Sequence, residues 1–355
     1  MPDYREPYGD LPAPVLDLIR SAGLAEFATV SGAGLPIDTP VGCFHELDGR
    51  ISVATGVSYP AKAERVRRNH RVGLLMEGFP GEPVVLVAGM GAVHDADLQA
   101  NVDRYLPEIA AYFDNFAAGY SYAQTRDSVH YWAKLFIDVS VRTIWWWDDW
   151  SQVERLPHRW DAPSNTVWPA SDPAPAVPAS VPLDWSPLPW RDQAAEVMAE
   201  GLPAHLTLLD ADGFPLPFRA RAVARTEDGF ALDLPAGVPW RVEGKATLCF
   251  IARATFVGTV QAAPGGARFT VERALPVMPI VSDLSAIWSP TSEARRKLSE
   301  RLAAELARRG QPVPVMPQEM PAPTGGSLLR AERSRKLYAE LARQGDGGAL
   351  YIKQD

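Results

Sequence analysis

The segment Thr55-Gly56-Val57-Ser58-Tyr59-Pro60-Ala61-Lys62-Ala63-Glu64-Arg65-Val66-Arg67-Arg68-Asn69-His70-Arg71 opens on small and hydroxyl residues and then turns strongly basic. From Lys62 to Arg71 it carries five cationic residues and one acidic residue, Glu64. Arg50 to Ala54 before it reads as a strand, and Val72 to Met76 after it is a second apolar run. A strand, a loop with free N–H groups and hydroxyls, and the N-terminus of a basic helix together suit a phosphate. The same charges also suit a solvated helix face.

Outward from this segment the pattern is strand-turn-strand. Phe27 to Val30 runs into a turn at Gly34, Val41 to Leu47 is the return strand, and Asp48-Gly49 is a tight-turn signal before Arg50. Val84 to His94 and Leu135 to Trp147 continue the series. Similar landmarks return downstream. Leu206 to Leu209 leads to a turn at Gly213, and Asp228-Gly229 and Ala236-Gly237 answer Asp48-Gly49 and Thr55-Gly56. With Gly23-Leu24 answered by Gly201-Leu202, the offsets drift only from 178 to 181. An internal duplication explains this order, as does chance recurrence of hairpin turns. Ala220 to Thr226, Gly229 to Leu234, Ala246 to Ile251, Phe256 to Gln261 and Ala267 to Arg273 complete the second set. Six short strands in each half predict a mainly β protein with peripheral helices, built as two closed antiparallel barrels.

Between the halves, Pro157 to Pro189 holds nine prolines and three tryptophans, Trp160, Trp168 and Trp185, with Trp190 directly after it. Proline restricts its own φ and its predecessor, so an extended linker wrapped on the surface is expected. Helices are expected at the margins: Val15 to Ala22, Lys62 to Asn69, Asp97 to Ala117 with a break at Pro107, and Ala194 to Glu200. At the far end, Ser289-Pro290 reads as a helix start, Gly310 as its stop, and Ser327 to Arg343 as a second helix. The divisions are 1–155, 156–190, 191–282 and 283–355: first barrel, linker, second barrel and helical extension.

Composition narrows the function. The chain has 355 residues, a net charge of −8, 46% hydrophobic and 22% charged residues. The acidic balance argues against nucleic acid as partner. No apolar run approaches membrane-spanning length, and the first ten residues lack the order of a signal peptide. Two cysteines, Cys43 and Cys249, make no disulfide framework, so a cytoplasmic protein is expected. The six histidines show no metal-ligand spacing, and no metal is expected. Gly89-Met90-Gly91 lies within a strand pattern and lacks the third glycine of a dinucleotide fingerprint. Gly56 to Pro60 lacks the final glycine of a hydrolase elbow.

The succession of a strand, Thr55-Gly56-Val57-Ser58, Lys62, a short basic helix and Asn69-His70-Arg71-Val72 resembles the pyridoxamine 5′-phosphate oxidase-like, FMN-binding split barrels. The resemblance extends from about Leu24 to Trp147, with Val87 to Val93 and Val139 to Asp148 as further matching strands. His70 stands where the family usually has proline. The second half resembles a degenerate copy without the basic helix.

The resemblance implies an FMN phosphate held by Lys62 with help from Thr55 and Ser58, beside Gly56. It implies a flavin ring along the second strand at Thr39, Pro40 and Val41. Cations usual on that strand are missing here, so Arg67, Arg68 or the second barrel would substitute. Trp147, from the run Trp145-Trp146-Trp147, either covers the ring or packs on the barrel exterior. The implied function is an FMN-dependent oxidoreductase of a small molecule, fed by a nicotinamide donor. A non-catalytic flavin-binding or sensing module, and a barrel for deazaflavin or haem, are the alternatives. The barrels would pair within the chain, and a homodimer is also open. No catalytic acid or base is assigned; Tyr59, His45 and His94 are the candidates.

Overall fold

The computed structural model describes Tyr8 and residues 11–46, 49–115, 117–177, 189–251, 253–276 and 285–344. The first part of the chain runs α1 (Ala13–Ser21), β1 (Leu24–Val30), β2 (Pro36–His45), β3 (Ile51–Gly56), α2 (Ala61–Arg68), β4 (Arg71–Glu77) and β5 (Val84–His94). It continues with α3 (Leu98–Ile109), α4 (Tyr122–Thr125), α5 (Val129–Trp132), β6 (Lys134–Trp147) and β7 (His158–Asp161). The order β3-β2-β1-β4-β5-β6 is closed by pairing of β3 with β6, which makes a six-stranded antiparallel barrel. Closure leaves no open edge among these six strands.

Alternation fills the barrel. Ala25 and Phe27 of β1, Val41 and Cys43 of β2, Ile51 and Val53 of β3, and Val72, Leu74 and Met76 of β4 face one core. On β6 the inward set changes from Leu135, Ile137, Val139 and Val141 to Ile144 and Trp146. A register shift opposite Ala88/Gly89 causes the change, because one extra residue reverses which side chains face in. Trp145 and Trp147 therefore share the face that points away from the barrel. They join Leu75, Val84, Leu86 and Ala88 in a second core. This explains the unbroken apolar run on β5, whose strand is buried on both faces.

The second part runs α6 (Trp190–Ala199), β8 (His205–Leu209), β9 (Pro215–Arg219), β10 (Ala222–Arg225), β11 (Gly229–Asp233), β12 (Glu243–Phe250), β13 (Ala254–Ala263) and β14 (Gly266–Ala274). Its sheet order is β10-β11-β14-β13-β12-β8-β9. With β8, β9, β11, β12, β13 and β14 set against β1 to β6, this is the same circle cut open between β9 and β11. The expected second barrel is thus a curled, open sheet. The expected strand from Ala220 to Thr226 is β10, which starts two residues later and ends one earlier, while β9, the counterpart of β2, was not expected. Pro215 and Pro217 masked β9 in the sequence, and they are tolerated because β9 is an edge strand.

The second sheet packs its Phe214, Leu216 and Phe218 onto Trp145, Trp147 and Leu75. Trp147 meets Phe218 edge-on at 5.0 Å, and its indole N–H donates to Arg155 O at 2.9 Å. A Cβ on Gly73 of β4 would stand 1.8 Å from Pro215 O, so backbone touches backbone at this seam. The proline-rich stretch starts by adding β7 to the far part of β6, beyond its pairing with β3, with Trp160 edge-on to Tyr8 at 5.5 Å. Trp185 lies outside the described residues.

The chain ends with α7 (Ser285–Trp288), α8 (Glu293–Arg309) and α9 (Gly325–Gln344). Ser292, not Ser289, caps α8, by accepting from Arg295 N at 3.0 Å. Helix α8 ends at Gly310 as expected and packs Leu302 and Leu306 into the barrel core. No helix among the described residues is long and apolar enough to cross a membrane.

Candidate functional site

The turn from β3 into α2 is the anion-shaped segment of the sequence. Gly56 ends β3 opposite Lys134, the first residue of β6. A Cβ at Gly56 would lie 2.7 Å from the Tyr59 ring, so that ring folds back onto the strand end. In the first turn of α2, Lys62 makes no hydrogen bond or ion pair among the described residues. Desolvation, then the charge of Arg65, lowers its ammonium to about 8, while Cys249 of β12 partly offsets this.

Lys134 is the residue that sequence reasoning missed. It is only 5% exposed and has no carboxylate partner among the described residues. Its ammonium lies over the rings of Tyr131, at 4.0 Å, and Tyr105, at 4.8 Å. Burial, then the nearby charge of Lys62, lowers it to about 7. Burial also pushes Tyr59 up to about 12 and raises Tyr131 well above its ordinary value. At neutral pH these are uncharged phenols around the two lysines. The available sequence signal was a lone lysine in an otherwise apolar strand start, behind Tyr131 and Trp132.

The other expected ligands fall in different places. Thr55 Oγ1 and Thr39 Oγ1 are buried without a hydrogen bond. Ser58 Oγ donates to Leu298 O of α8 at 2.9 Å, so its hydroxyl fastens the C-terminal helix. Arg67 is paired with Asp95 and donates to Asp172 O, while Arg68 is exposed. Neither is brought to Lys62 as a substitute cation. Val41 faces the barrel core and Pro40 is half-buried. Trp147 closes β6 at the end opposite Lys134 and is used as core between the sheets. His94 lies between two carboxylates, Asp172 at 3.3 Å and Asp138 at 3.5 Å. His45 faces Tyr8, ring to ring, at 6.4 Å.

These groups fit the phosphate end of a nucleotide-like cofactor. Two unpaired ammonium groups and the unsatisfied Thr55 hydroxyl belong to one strand-to-helix turn and the strand beside it. The expected bed of the ring, on β2, is roofed by β8 and β12 of the second sheet.

No protein-family profile and no curated protein matches the chain. Among solved structures, general stress protein 26 of Bacillus anthracis is 17% identical, covers 38% of this chain and 92% of its own, with a TM-score of 0.27. An FMN-binding, pyridoxamine 5′-phosphate oxidase-related protein of Nostoc punctiforme is 14% identical, with 39% and 84% covered and a TM-score of 0.28. A FAD-binding protein of Mesorhizobium loti is 16% identical, with 38% and 92% covered and a TM-score of 0.28. Each likeness spans less than half of this chain.

Proposed function

We propose that the chain is a flavin-dependent oxidoreductase of the pyridoxamine 5′-phosphate oxidase-like type, acting on a small molecule and holding the FMN phosphate at Lys62 and Lys134. One observation carries this reading. The buried Lys134 and the half-buried Lys62 have no carboxylate partner among the described residues, at the turn that resembles the family's phosphate loop. Burying an unpaired charge is costly, and an anion from outside removes that cost. Lys134 takes the part of the cations missing from β2. When bound, the flavin supplies two-electron chemistry, and the chain's own residues bind and orient it. The second sheet serves as a built-in partner that roofs the site, and its shared strand circle supports an internal duplication.

Asp38, a buried acid on the strand where relatives carry cations, favours a second reading, a flavin-binding or sensing module without turnover. The first test is the absorbance spectrum of the purified protein, with mass spectrometry of the released ligand to separate FMN from deazaflavin and haem. The second is anaerobic mixing of the holoprotein with NADH or NADPH. Bleaching supports the enzyme. Reduction by dithionite alone supports the sensing module. Colourless protein that gains no colour with FMN removes both.

A further inference from the structure

A layer of polar side chains separates the barrel from the second sheet, and the flavin reading uses none of their charges. Glu26 of β1 and Asp38 of β2 lie diagonally on the outer face of the barrel, since Glu26 is opposite Pro40 and Asp38 opposite Ala28. Facing them are His205 and Thr207 of β8 and their cross-strand partners Cys249 and Thr247 of β12. Carboxylate oxygens of Glu26 and Asp38 and the Cys249 sulfur all lie within 4.8 Å of one another.

We propose that Glu26, Asp38 and Cys249 bind one divalent transition-metal ion of the zinc type, clamped between the barrel and the second sheet. Asp38 is 0% exposed, and neither of its oxygens accepts a hydrogen bond of normal geometry. Glu26 is 6% exposed and its Oε2 is likewise unsatisfied. A second observation comes from a different element. His205, also 0% exposed, directs Nδ1 toward Glu26 Oε1 at 3.5 Å without a hydrogen bond. Its Nε2 lies 3.1 Å from Glu77 Oε2, and Arg219 Nε lies 3.0 Å from the other Glu77 oxygen. Arg219 therefore answers Glu77, and no arginine or lysine forms an ion pair with Glu26 or Asp38 among the described residues.

Two carboxyls buried side by side are expensive to ionise, and burial raises both above the ordinary carboxylate value. A metal supplies the missing positive charge. Mixed oxygen and sulfur donors select zinc over magnesium or calcium, which prefer oxygen alone. His205 would orient Glu26 from outside the coordination sphere, as such partners commonly do. The histidine spacing that suggests no metal in the sequence has no bearing here, because the ligands come from three strands of two sheets.

The test uses the tag-free full chain, produced separately with zinc and with cobalt. Elemental analysis should find one equivalent of either metal. The cobalt protein should show a thiolate-to-cobalt charge-transfer band. That band should vanish in Cys249→Ser and persist in Cys43→Ser, whose thiol lies in the barrel core against Ala22 O. Asp38→Asn should lose the metal, and His205→Gln should weaken zinc binding roughly 10- to 100-fold. The wild-type band stands as evidence even if a variant fails to fold. Wild-type protein holding no metal from either medium overturns the proposal, as does equal metal retention in Cys249→Ser and Asp38→Asn. None of these readouts depends on flavin.

Discussion

Lys134 of β6 lies close enough to Lys62 of α2 that, after burial, the charge of Lys62 helps to hold the Lys134 ammonium down to about 7. The chain brings the two cations together across β3 and provides no carboxylate between them among the described residues.

Removing either lysine should weaken FMN binding. A charge-assisted contact to phosphate contributes roughly 1.5–3 kcal/mol, about ten- to a hundred-fold in Kd. Fluorescence titration of Lys62→Ala and Lys134→Ala checks this. If only Lys62→Ala has an effect, Lys134 is not a phosphate ligand.

Without ligand, Lys134 should cost stability at neutral pH. Its folded value, about 7, lies below the usual lysine value near 10.4, so between these the unfolded chain binds the extra proton. Stability from this group therefore rises with pH across that window. Lys134→Met should be more stable than the apo wild type near pH 7, with the gap closing toward about pH 10. Urea unfolding of both proteins across that range shows whether the gap closes.

Gly73→Ala should loosen the second sheet from the barrel, because the new methyl meets Pro215 O. Overpacking of this kind costs about 1–3 kcal/mol and more where backbone must move. Gly42→Ala, with its nearest neighbours at 3.9 Å, is the control expected to be mild. Denaturant midpoints of the two variants should separate clearly.

Residues 1–155 alone should self-associate or aggregate. Cutting there uncovers Leu75, Leu86, Trp145 and Trp147, which the second sheet buries, and it removes α8 from Ser58. Light scattering on the fragment is the measurement. A monodisperse monomer that binds flavin like the full chain would show that the second sheet is no wall of the site.

Glu305→Ala should destabilise the attachment of α8. Glu305 is 0% exposed and accepts from Arg308 at 2.9 Å and from Arg309, while Arg308 also reaches Glu64 of α2. Breaking one member of a buried ion network leaves unpaired charge and costs about 3–5 kcal/mol. Thermal and urea unfolding should both report the loss.

The sequence by itself determined the order of strands in the first barrel, although β1 starts three residues before Phe27 and β2 five before Val41. Alternation and turn chemistry are local, so Val84 to His94 and Leu135 to Trp147 could be read within a residue. The glycines at the two hairpin turns, Gly34 and Gly213, take φ of +73° and +82°, as their turns require. The basic turn at Lys62 was legible because its residues are contiguous. Tertiary structure alone decided that β9 and β11 do not meet, since closure depends on how a sheet curls. It also decided that Arg67 and Ser58 are spoken for, by Asp95 and by Leu298. Lys134 stands 72 positions from Lys62, and Cys249 more than 200 from Asp38 and Glu26. No local pattern links such residues. They meet because barrel closure sets Lys134 opposite Gly56, and because the docked second sheet lays Cys249 and His205 over two buried acids.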